Sequence, residues 1–371
     1  MMQEVLSRLE SENNLRTLPD LNPQGLYLEH DGKRYLNLSS NDYLGISCRT
    51  LHRDFMREVC NSDEFLLSNP SSRLITGNSP DYTRLEQTLS NLYGGKAALV
   101  LGCGYMVNSG ILPAITDKGD LILADKLIHA SLIDGLRLCQ AEWQRFNHND
   151  MDHLERLLKR YRANYRQVWV VTESIFSMDG DWAPLRQLQQ LKEQYDLKLY
   201  LDEAHAFGVC GPDGRGLAAE EGVDCDIMIA TLGKAIASQG AFVVTDSLTR
   251  DFLVNRMRTL IFSTALPPIL LRWSEYVISR LPQMEDWRQH LRNLSQQLTG
   301  NTSSTHIIPI MAGENRRAIE MSERFRETGF WVMPIRTPTV PQGKARVRVS
   351  LHAALPDEAI VKFKEVWNSI G

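Results

Sequence analysis

A single lysine, Lys234, stands in a run of small residues, "TLGKAIASQG" at positions 231–240. A long charged side chain is unusual among alanine, glycine, serine and isoleucine. Burial lowers the pKa of a lysine and makes its free amine available, and such an amine forms a Schiff base with an aldehyde. The surroundings of Lys234 therefore indicate a lysine held for covalent chemistry.

Two motifs place polar residues just after apolar runs. "LYLDEAHAFG" puts Asp202 at the end of one run, with His205 three residues later, and "DKLIHASLIDG" puts His129 after another. A carboxylate at such a position suits a cationic partner. Taken singly, the first motif is also typical of a helix N-cap aspartate with a surface histidine, and a lone histidine is more often structural. Neither motif identifies a site by itself.

A glycine-containing segment, "GCGYMVNSG" (102–110), follows the apolar run 97–101 and precedes a predicted helix. Its glycines allow a ligand to approach the backbone closely, and a helix N-terminus attracts an anion such as phosphate. The spacing is not G-x-G-x-x-G, which disfavours a NAD-binding dehydrogenase.

These features occur in the order glycine loop, histidine, Asp-x-x-His and lysine, and a pyridoxal 5'-phosphate (PLP) site explains them jointly. Lys234 would bind the aldehyde, Asp202 would keep the pyridine nitrogen protonated so that the ring acts as an electron sink, and His129 would stack on the ring. The start of the helix after the glycine loop would hold the phosphate. We therefore predict a PLP-dependent enzyme.

Short apolar runs that alternate with amphipathic helices position these residues. The predicted strands are 97–101, 121–124, 168–172, 197–202, 226–231 and 241–245. One intervening helix begins at Ser79 and Pro80 and ends near Gly94. This alternation predicts an α/β fold with a mainly parallel sheet flanked by helices, in which ligands bind beyond the carboxyl ends of the strands.

The chain is long enough for more than one domain. The sequence of residues 1–40 indicates a helix followed by a hairpin with its turn at Asp31 and Gly32. Residues 41–265 form the predicted large PLP-binding domain, and residues 266–371 a smaller α+β C-terminal domain. We expect the N-terminal segment to pack on the smaller domain.

Composition is that of a globular protein, with 371 residues, 43% hydrophobic and 23% charged residues and a net charge of −4. The basic cluster at 159–166 is typical of a solvated helix end, so we expect no nucleic-acid partner. The longest apolar stretch is interrupted by Gly, Asn, Ser and Pro, which disfavours a membrane span. A polar N-terminus unlike a signal peptide, and six cysteines without C-x-x-C, predict a cytoplasmic location.

Seven stretches along nearly the whole chain resemble those of the α-oxoamine synthases, a family of fold-type I PLP enzymes. They are "LNLSSNDYLG" (36–45), "LIHASLIDG" (127–135), "TESIFSMDGDWAPL" (172–185), "LDEAHAFGVCGPDGRG" (201–216), "ATLGKA" (230–235), "FSTALPP" (262–268) and "PTVPQGKARVRVSL" (338–351). The resemblance implies the PLP-dependent transferase fold of that family, with a large domain and a smaller C-terminal domain.

The resemblance also implies cofactor roles for individual residues. Lys234 is expected to be the Schiff-base lysine and proton shuttle, Asp202 the partner of the pyridinium nitrogen, and His129 the stacking imidazole. His205 is expected to bond the ring hydroxyl. Further cofactor contacts are expected from Gly104 and Tyr105 on the phosphate side, from Ser177 and Thr231 near the cofactor oxygens, and from Thr264 of a second subunit. A homodimer is therefore implied.

Four other residues match substrate positions of the family. Arg348 resembles the arginine that binds the amino-acid carboxylate, with Arg336 as a second cation nearby, and bidentate guanidinium geometry suits that role. Asn41 and Arg16 match positions near the substrate entrance.

One segment departs from the family pattern. "SNPSSRLITG" (68–77) keeps Ser72, Arg73 and Gly77 but lacks the glycines that the family usually has there. The lost glycines leave open both the flexibility of the backbone beside the bound amino acid and the identity of the substrate.

The reaction that the resemblance implies is a decarboxylative condensation of an amino acid with an acyl thioester of CoA or acyl carrier protein. "SSNDYLG" and "FSMDGD" favour alanine and a pimeloyl thioester in biotin biosynthesis. The alternatives within the family are 2-amino-3-oxobutyrate CoA ligase, 5-aminolevulinate synthase and an enzyme like serine palmitoyltransferase. A catalytically silent subunit is a further interpretation, which the presence of Lys234, Asp202 and His129 disfavours.

Overall fold

The computed structural model describes residues 1–60 and 66–370, with the side chain of residue 60 outside the description. The chain forms two compact units. The large unit comprises Leu51–Phe176 and Trp182–Glu285, and the small unit comprises Met1–Thr50, Ser177–Asp181 and Asp286–Gly371. The N-terminal part of the small unit ends at residue 50, and its C-terminal part begins at residue 286. The domain boundaries predicted from the sequence, after residues 40 and 265, stay a prediction.

The small unit begins with helix α1 (Met2–Ser11) and strands β1 (Asn22–Gln24), β2 (Tyr27–His30) and β3 (Lys33–Asn37). The predicted hairpin is present, because β2 and β3 pair antiparallel with His30 opposite Lys33. Asp31 and Gly32 have φ values of 50° and 70°, as a two-residue hairpin turn of this hand requires.

The large unit alternates strands and helices as predicted. In chain order its elements are α2 (Leu51–Cys60), α3 (Pro80–Leu92), β4 (Ala97–Leu101), α4 (Gly104–Ile115), β5 (Asp120–Asp125), α5 (Ala130–Leu138), β6 (Glu142–Phe146), α6 (Met151–Tyr161), β7 (Gln167–Glu173), α7 (Leu185–Tyr195), β8 (Lys198–Asp202), α8 (Leu217–Glu221), β9 (Ile227–Thr231), β10 (Ala241–Thr245), α9 (Ser247–Arg256), α10 (Arg258–Ile261) and α11 (Pro268–Ile278). Among the residues described, no helix combines the length and apolarity needed to cross a bilayer.

These strands form a seven-stranded sheet in the order β4-β10-β9-β8-β7-β5-β6. Strand β10 pairs antiparallel with both neighbours, whereas the strands from β9 to β6 pair parallel with one another. The predicted mainly parallel sheet is confirmed, and so are the six predicted strands. Strand β6 was not predicted, because its sequence "EWQRF" is largely polar and only Phe146 of its five residues is buried at this edge of the sheet.

Helix α4 is held against the sheet by its apolar face. Val107, Ile111 and Leu112 have no exposed surface and share a core with Ile229 and Val243 of the sheet. Each fully buried aliphatic side chain of this kind stabilises the fold by about 1.5–3 kcal/mol. The packing therefore fixes the start of α4 just beyond the end of β4.

The small unit continues with α12 (Glu285–Thr299), β11 (Ile307–Gly313), α13 (Asn315–Glu327), β12 (Phe330–Trp331), β13 (Met333–Ile335), β14 (Ala345–Ser350) and α14 (Asp357–Ile370). Strand β14 lies between β11 and β13 and is antiparallel to both. Strand β12 pairs with β3, so the N-terminal hairpin packs within this unit as expected. All six residues of β14 are buried, including two arginines.

Candidate active site

The carboxyl ends of the large unit's parallel strands surround one cavity of about 180 Å³. The ends of parallel strands meet at one edge of a sheet, so residues far apart in sequence come together there. The cavity is lined by Gly104, Tyr105, Asn108, His129, Ser131, Glu173, Asp202, Ala204, His205, Ile229, Thr231 and Lys234. Seven of the predicted cofactor residues are among them, which are Gly104, Tyr105, His129, Asp202, His205, Thr231 and Lys234.

The amine of Lys234 lies 2.8 Å from Nε2 of His205. The lysine follows β9 on a loop that turns back at Ala237, where φ is 49°. An ammonium group can only donate, so a charged Lys234 requires an unprotonated Nε2 on His205. Lys234 is half-buried rather than buried, and its amine lines the cavity.

Asp202 ends β8 as a buried carboxylate, 4% exposed. Its Oδ1 accepts the backbone N–H of Ala204 at 2.9 Å, and its Oδ2 accepts Nδ2 of Asn108 at 2.8 Å. Both donors are neutral. A buried carboxylate without a bonded cation among the described residues suits a cationic group in the cavity.

His129 is the N-cap residue of α5, and its Nδ1 accepts the backbone N–H of Ser131 at 3.3 Å. The hydroxyl of Ser131 lies 2.7 Å from the same nitrogen. The imidazole remains exposed along the cavity, yet the protein atoms around it lower its pKa by desolvation. The charge of Asp202 opposes this shift and that of Lys234 adds to it, with a lowered pKa as the result. An open, neutral ring of this kind is suited to stacking.

Glu173, which the sequence analysis did not single out, lies beside Asp202 on the neighbouring strand. Its Oε1 accepts the backbone N–H of His129 at 2.5 Å. Burial raises the pKa of Glu173 well above its ordinary value, and the negative charge of Asp202 raises it further. Burial and the neighbouring carboxylate therefore both favour the protonated form of Glu173.

The start of α4 forms the opposite side of the cavity. Gly104 is the first helical residue, and a side chain built there would approach Thr231 only to 3.8 Å. The hydroxyl of Tyr105 bonds the carboxylate of Asp134, and Thr231 donates to the carbonyl of Gly240 at 3.1 Å. The N–H groups of the first turn of α4 have no partner within the helix and are available to an anion.

This donor set fits PLP. Within the part of the chain that the structure describes, the carboxylate of Asp202 accepts hydrogen bonds only from neutral donors, which suits a protonated ring nitrogen. The amine of Lys234 can bind the aldehyde, and the start of α4 can bind the phosphate. These features lie around one cavity.

Thr264 does not line this cavity. It forms an isolated β-bridge with Ser72, which ties it to the segment that lacks the family's glycines. Residues Arg73–Gly77 of that segment form a single π-helical turn, and Arg73 bonds Glu86 at 2.6 Å and stacks on Tyr82. Gly77 is required, because a side chain there would meet the carbonyl of Ser71 at 2.5 Å.

Arg348, in the small unit, is 8% exposed, and among the described residues its guanidinium group bonds only neutral groups. It donates to the Ser177 carbonyl at 2.6 Å, the Ser350 hydroxyl at 2.8 Å, the Asn41 carbonyl at 3.2 Å and the Tyr43 hydroxyl at 3.3 Å. Ser177 thus contributes its backbone here. A buried cation without a carboxylate among the described residues is suited to an anionic ligand.

A second group of cations lies in a cavity of the small unit of about 550 Å³. Arg16 donates to the hydroxyl of Thr339 at 2.8 Å, and Arg336 donates to the carbonyls of Asn13 and Leu15. Partial burial lowers the pKa of Arg336, and the charge of Arg16 lowers it further. No carboxylate lines the described part of this cavity.

Sequence reasoning missed Asn108, Ser131, Glu173 and Tyr200. Each is a polar residue inside or next to an apolar run, such as Asn108 in "YMVNSGIL" and Tyr200 in "LKLYLD". A polar atom at a buried position needs a hydrogen-bond partner, and this requirement is the signal that could have identified them.

Comparisons with known proteins identify relatives over nearly the full chain. The family model of class I and II aminotransferases matches residues 33–365. The 8-amino-7-oxononanoate synthase of Haemophilus ducreyi is 46% identical over 95% of this chain and 96% of that protein. The enzyme of the same name from Chlorobaculum parvum is 46% identical over 98% of this chain and 96% of that protein. A solved structure of SPT with a PLP internal aldimine has a TM-score of 0.91 at 25% identity and covers all of this chain and 96% of that one.

Proposed function

Because this chain belongs to the class I and II aminotransferase family, and within it to the α-oxoamine synthases, we propose that it joins L-alanine to a pimeloyl thioester with loss of carbon dioxide. The product would be 8-amino-7-oxononanoate, in biotin biosynthesis. The chain is a PLP-dependent acyltransferase. The observation that carries the choice of acyl donor is the arginine-lined cavity of the small unit.

Deprotonation of alanine is the first task of the large-unit site. Bound PLP withdraws electrons from the amino-acid Cα and so makes its C–H bond acidic. The amine of Lys234 would take the Cα proton and later return one. Asp202 would hold a proton on the ring nitrogen, since its carboxylate is oriented by two neutral donors and favours a nearby positive charge. His129 would cover one face of the ring.

The condensation forms a bond between the alanine Cα and the carbonyl carbon of the thioester. The thiol of CoA or of the acyl carrier protein leaves, and the alanine carboxylate departs as carbon dioxide. A proton from Lys234 then completes the amino ketone. Thr231 and His205 would orient the cofactor oxygens, since both line the cavity beside Lys234.

Arg348 is proposed to bind the alanine carboxylate, with Asn41 orienting the guanidinium group. Four neutral acceptors hold the cation without neutralising it, so its charge is available to a carboxylate. Ser177 would act in this role through its carbonyl, in addition to the hydroxyl contact expected from the family resemblance.

Arg16 and Arg336 are proposed to bind the terminal carboxylate of the pimeloyl chain. The charge of Arg16 lowers the pKa of Arg336, so these two like charges repel one another, and an anion bound between them relieves that repulsion. The cavity that they line contains apolar surface from Trp331 and Ile335, which suits methylene groups. An acetyl or palmitoyl donor has no group that would use both cations.

A homodimer is proposed from the apolar surface beside Thr264. Ile75 and Phe262 are 79% and 71% exposed, and Leu74 is 50% exposed. All three lie close in sequence to Ser72 or Thr264, which form a bridge. A second copy of the chain would cover this surface and bring its own Thr264 toward the phosphate. We also propose a cytoplasmic location, which rests on the sequence features given above.

The direct experiment measures free CoA and product mass for matched substrate pairs. Alanine with pimeloyl-CoA is expected to react faster than glycine with acetyl-CoA, glycine with succinyl-CoA or serine with palmitoyl-CoA. Preference for another pair would replace the proposed reaction with the corresponding family alternative. A protein that binds PLP but releases no CoA with any pair would be the silent subunit.

The acyl-donor assignment has its own control. Heptanoyl-CoA has the same chain length as pimeloyl-CoA but no terminal carboxylate. Replacing Arg336 by Met should reduce kcat/KM for pimeloyl-CoA by about 10- to 100-fold, the usual range for a charge-assisted hydrogen bond, and leave heptanoyl-CoA nearly unchanged. An equal loss with both donors would contradict a carboxylate-binding role.

A further inference from the structure

We propose that Tyr200, Asn108 and Ser131 form a buried hydrogen-bond relay that positions Asp202 and His129 and fixes which atoms of the pair carry protons. The inference rests on the proposed roles of Asp202 and His129 toward PLP and on no assumption about the acyl donor. These three residues are positioning residues, since they act through the two groups that would contact the cofactor.

The relay is continuous and buried. The Tyr200 hydroxyl donates to Oδ1 of Asn108 at 2.7 Å, and Nδ2 of Asn108 donates to Oδ2 of Asp202 at 2.8 Å and to the Ser131 hydroxyl at 3.0 Å. The Ser131 hydroxyl lies 2.7 Å from Nδ1 of His129. Tyr200 and Ser131 have no exposed surface, and Asn108 is 2% exposed.

The donor and acceptor of each hydrogen bond to Asn108 follow from the groups on its two sides, the Tyr200 hydroxyl and the Asp202 carboxylate. Burial raises the pKa of Tyr200 well above its ordinary value, so its hydroxyl is neutral and can donate. A flipped Asn108 amide would place its oxygen against the Asp202 carboxylate, and two acceptors repel. The amide therefore donates to Asp202 and, with its second hydrogen, to Ser131.

The same logic reaches His129. The backbone N–H of Ser131 donates to Nδ1 of His129, so this nitrogen is an acceptor, and the Ser131 hydroxyl, which accepts from Asn108, donates to the same nitrogen. A nitrogen that accepts two hydrogen bonds carries no proton. His129 is therefore the neutral tautomer with its hydrogen on Nε2.

Helix packing sets the geometry of the relay. Asn108 lies on α4 and Ser131 on α5, and the helices approach closely at Gly135, where a side chain would meet the Asn108 carbonyl at 2.5 Å. Gly135 thus allows a distance between α4 and α5 at which Asn108 reaches both Ser131 and Asp202.

Three other titratable groups lie near the two residues that the relay positions. Glu173 lies beside Asp202 and bonds the His129 backbone, and Lys234 and His205 line the same cavity. With Asn108 as its donor, Oδ2 of Asp202 is held as an acceptor, and Nδ1 of His129 is held as an acceptor by Ser131. Without the relay, a proton could move between these groups.

The test uses the full-length holoenzyme and two measurements that do not depend on turnover. The first is the ¹⁵N signal of the His129 ring, assigned by its loss in a His129→Asn variant. The second is the dissociation constant of PLP. In the native protein, Nδ1 of His129 is expected to give the signal of an unprotonated, hydrogen-bonded nitrogen.

Tyr200→Phe removes one hydroxyl and keeps the buried ring. The dissociation constant of PLP is expected to rise about 5- to 10-fold, the range for one lost hydrogen bond in a buried network. Ser131→Ala removes the shorter of the two contacts to Nδ1 and should shift the His129 Nδ1 signal toward that of an unprotonated nitrogen with a weaker hydrogen bond, and Ser131→Thr, which restores the hydroxyl, should restore the signal. Asn108→Asp places a carboxyl group against Asp202 and should weaken PLP binding by about 100-fold.

Tyr195→Phe is the matched control, since the Tyr195 hydroxyl bonds Glu155 on the surface, away from the relay. It should change neither measurement. If Tyr200 had a merely structural role, Tyr200→Phe would have a lower melting temperature, but the His129 signal and the dissociation constant of PLP would both be unchanged in the folded variant. That result, or a Ser131→Ala variant with native His129 signals, would overturn the relay. An incorrect assignment of the alanine and pimeloyl substrates would alter neither measurement.

Discussion

Two buried arginines of strand β14 provide a matched pair for testing the amino-acid site. Arg346 is 3% exposed and bonds the Asp179 carboxylate at 2.6 Å. Arg348, two residues along the strand, is 8% exposed and bonds only neutral groups. The guanidinium group of Arg346 is paired with a carboxylate, whereas that of Arg348 bonds no carboxylate among the described residues. We therefore expect Arg348→Lys and Arg346→Lys to affect different properties.

The magnitude for Arg348→Lys follows from the lost geometry. A lysine keeps the charge but cannot make two parallel hydrogen bonds to a carboxylate. Loss of one charge-assisted bond corresponds to about 1.5–3 kcal/mol, which raises KM for alanine by roughly 10- to 100-fold. KM for the acyl donor should change much less. Arg346→Lys should instead lower the free energy of unfolding by about 1–3 kcal/mol with little change in KM for alanine.

The assay is steady-state release of CoA, with alanine and pimeloyl-CoA varied separately, beside urea unfolding of both variants. Binding of PLP to both variants serves as a control for the large-unit site. The reasoning would be refuted if Arg348→Lys kept a native KM for alanine while Arg346→Lys raised it. In that case the neutral surroundings of Arg348 would be a structural feature only.

Three further predictions concern the large unit. Lys234→Ala should abolish turnover and borohydride fixation of PLP while circular dichroism stays native; residual fixation at another lysine would contradict its role. Asp202→Asn should slow Cα deprotonation by about 100-fold, measured as the exchange of the alanine Cα proton, because a neutral amide cannot hold the ring-nitrogen proton. Burial raises the pKa of Glu203 to about 7 from 4.5. Between these values the native state binds more protons than the unfolded chain, so the free energy of unfolding should fall by about 3 kcal/mol as pH rises through that window. Urea unfolding at about pH 5 and about pH 7.5 should show a fall in the native protein that is larger than in Glu203→Gln by about this amount, because Glu173 contributes to the slope of both proteins; an equal fall in both would refute the prediction.

The strands of the large unit were predictable because local pattern and tertiary environment agree. The run 97–101 is apolar throughout and the run 241–245 is apolar up to Thr245, and nearly all of their residues are buried. The turn at Asp31 and Gly32 carries its own signal, since both residues tolerate positive φ. Strand β6 escaped prediction because it lies at the sheet edge, where polar residues form a strand without an apolar run.

The candidate site divides in the same way. Lys234, Asp202, His205 and His129 carry motif signals, because each follows an apolar run directly. Their distances and hydrogen bonds do not follow from spacing. The 2.8 Å contact between Lys234 and His205 depends on a loop conformation that no local pattern specifies.

By itself, the sequence determined the strand and helix pattern, the residues able to bind PLP and the family to which those residues point. The tertiary structure decided which buried polar groups support them, because hydrogen-bond partners such as Asn108 and Asp202 are 94 residues apart along the chain. It also showed that Arg348 has neutral neighbours whereas Arg346 has an acidic one. Such differences depend on the strands and loops that pack around a side chain, and two arginines on one strand are alike until those neighbours are in place.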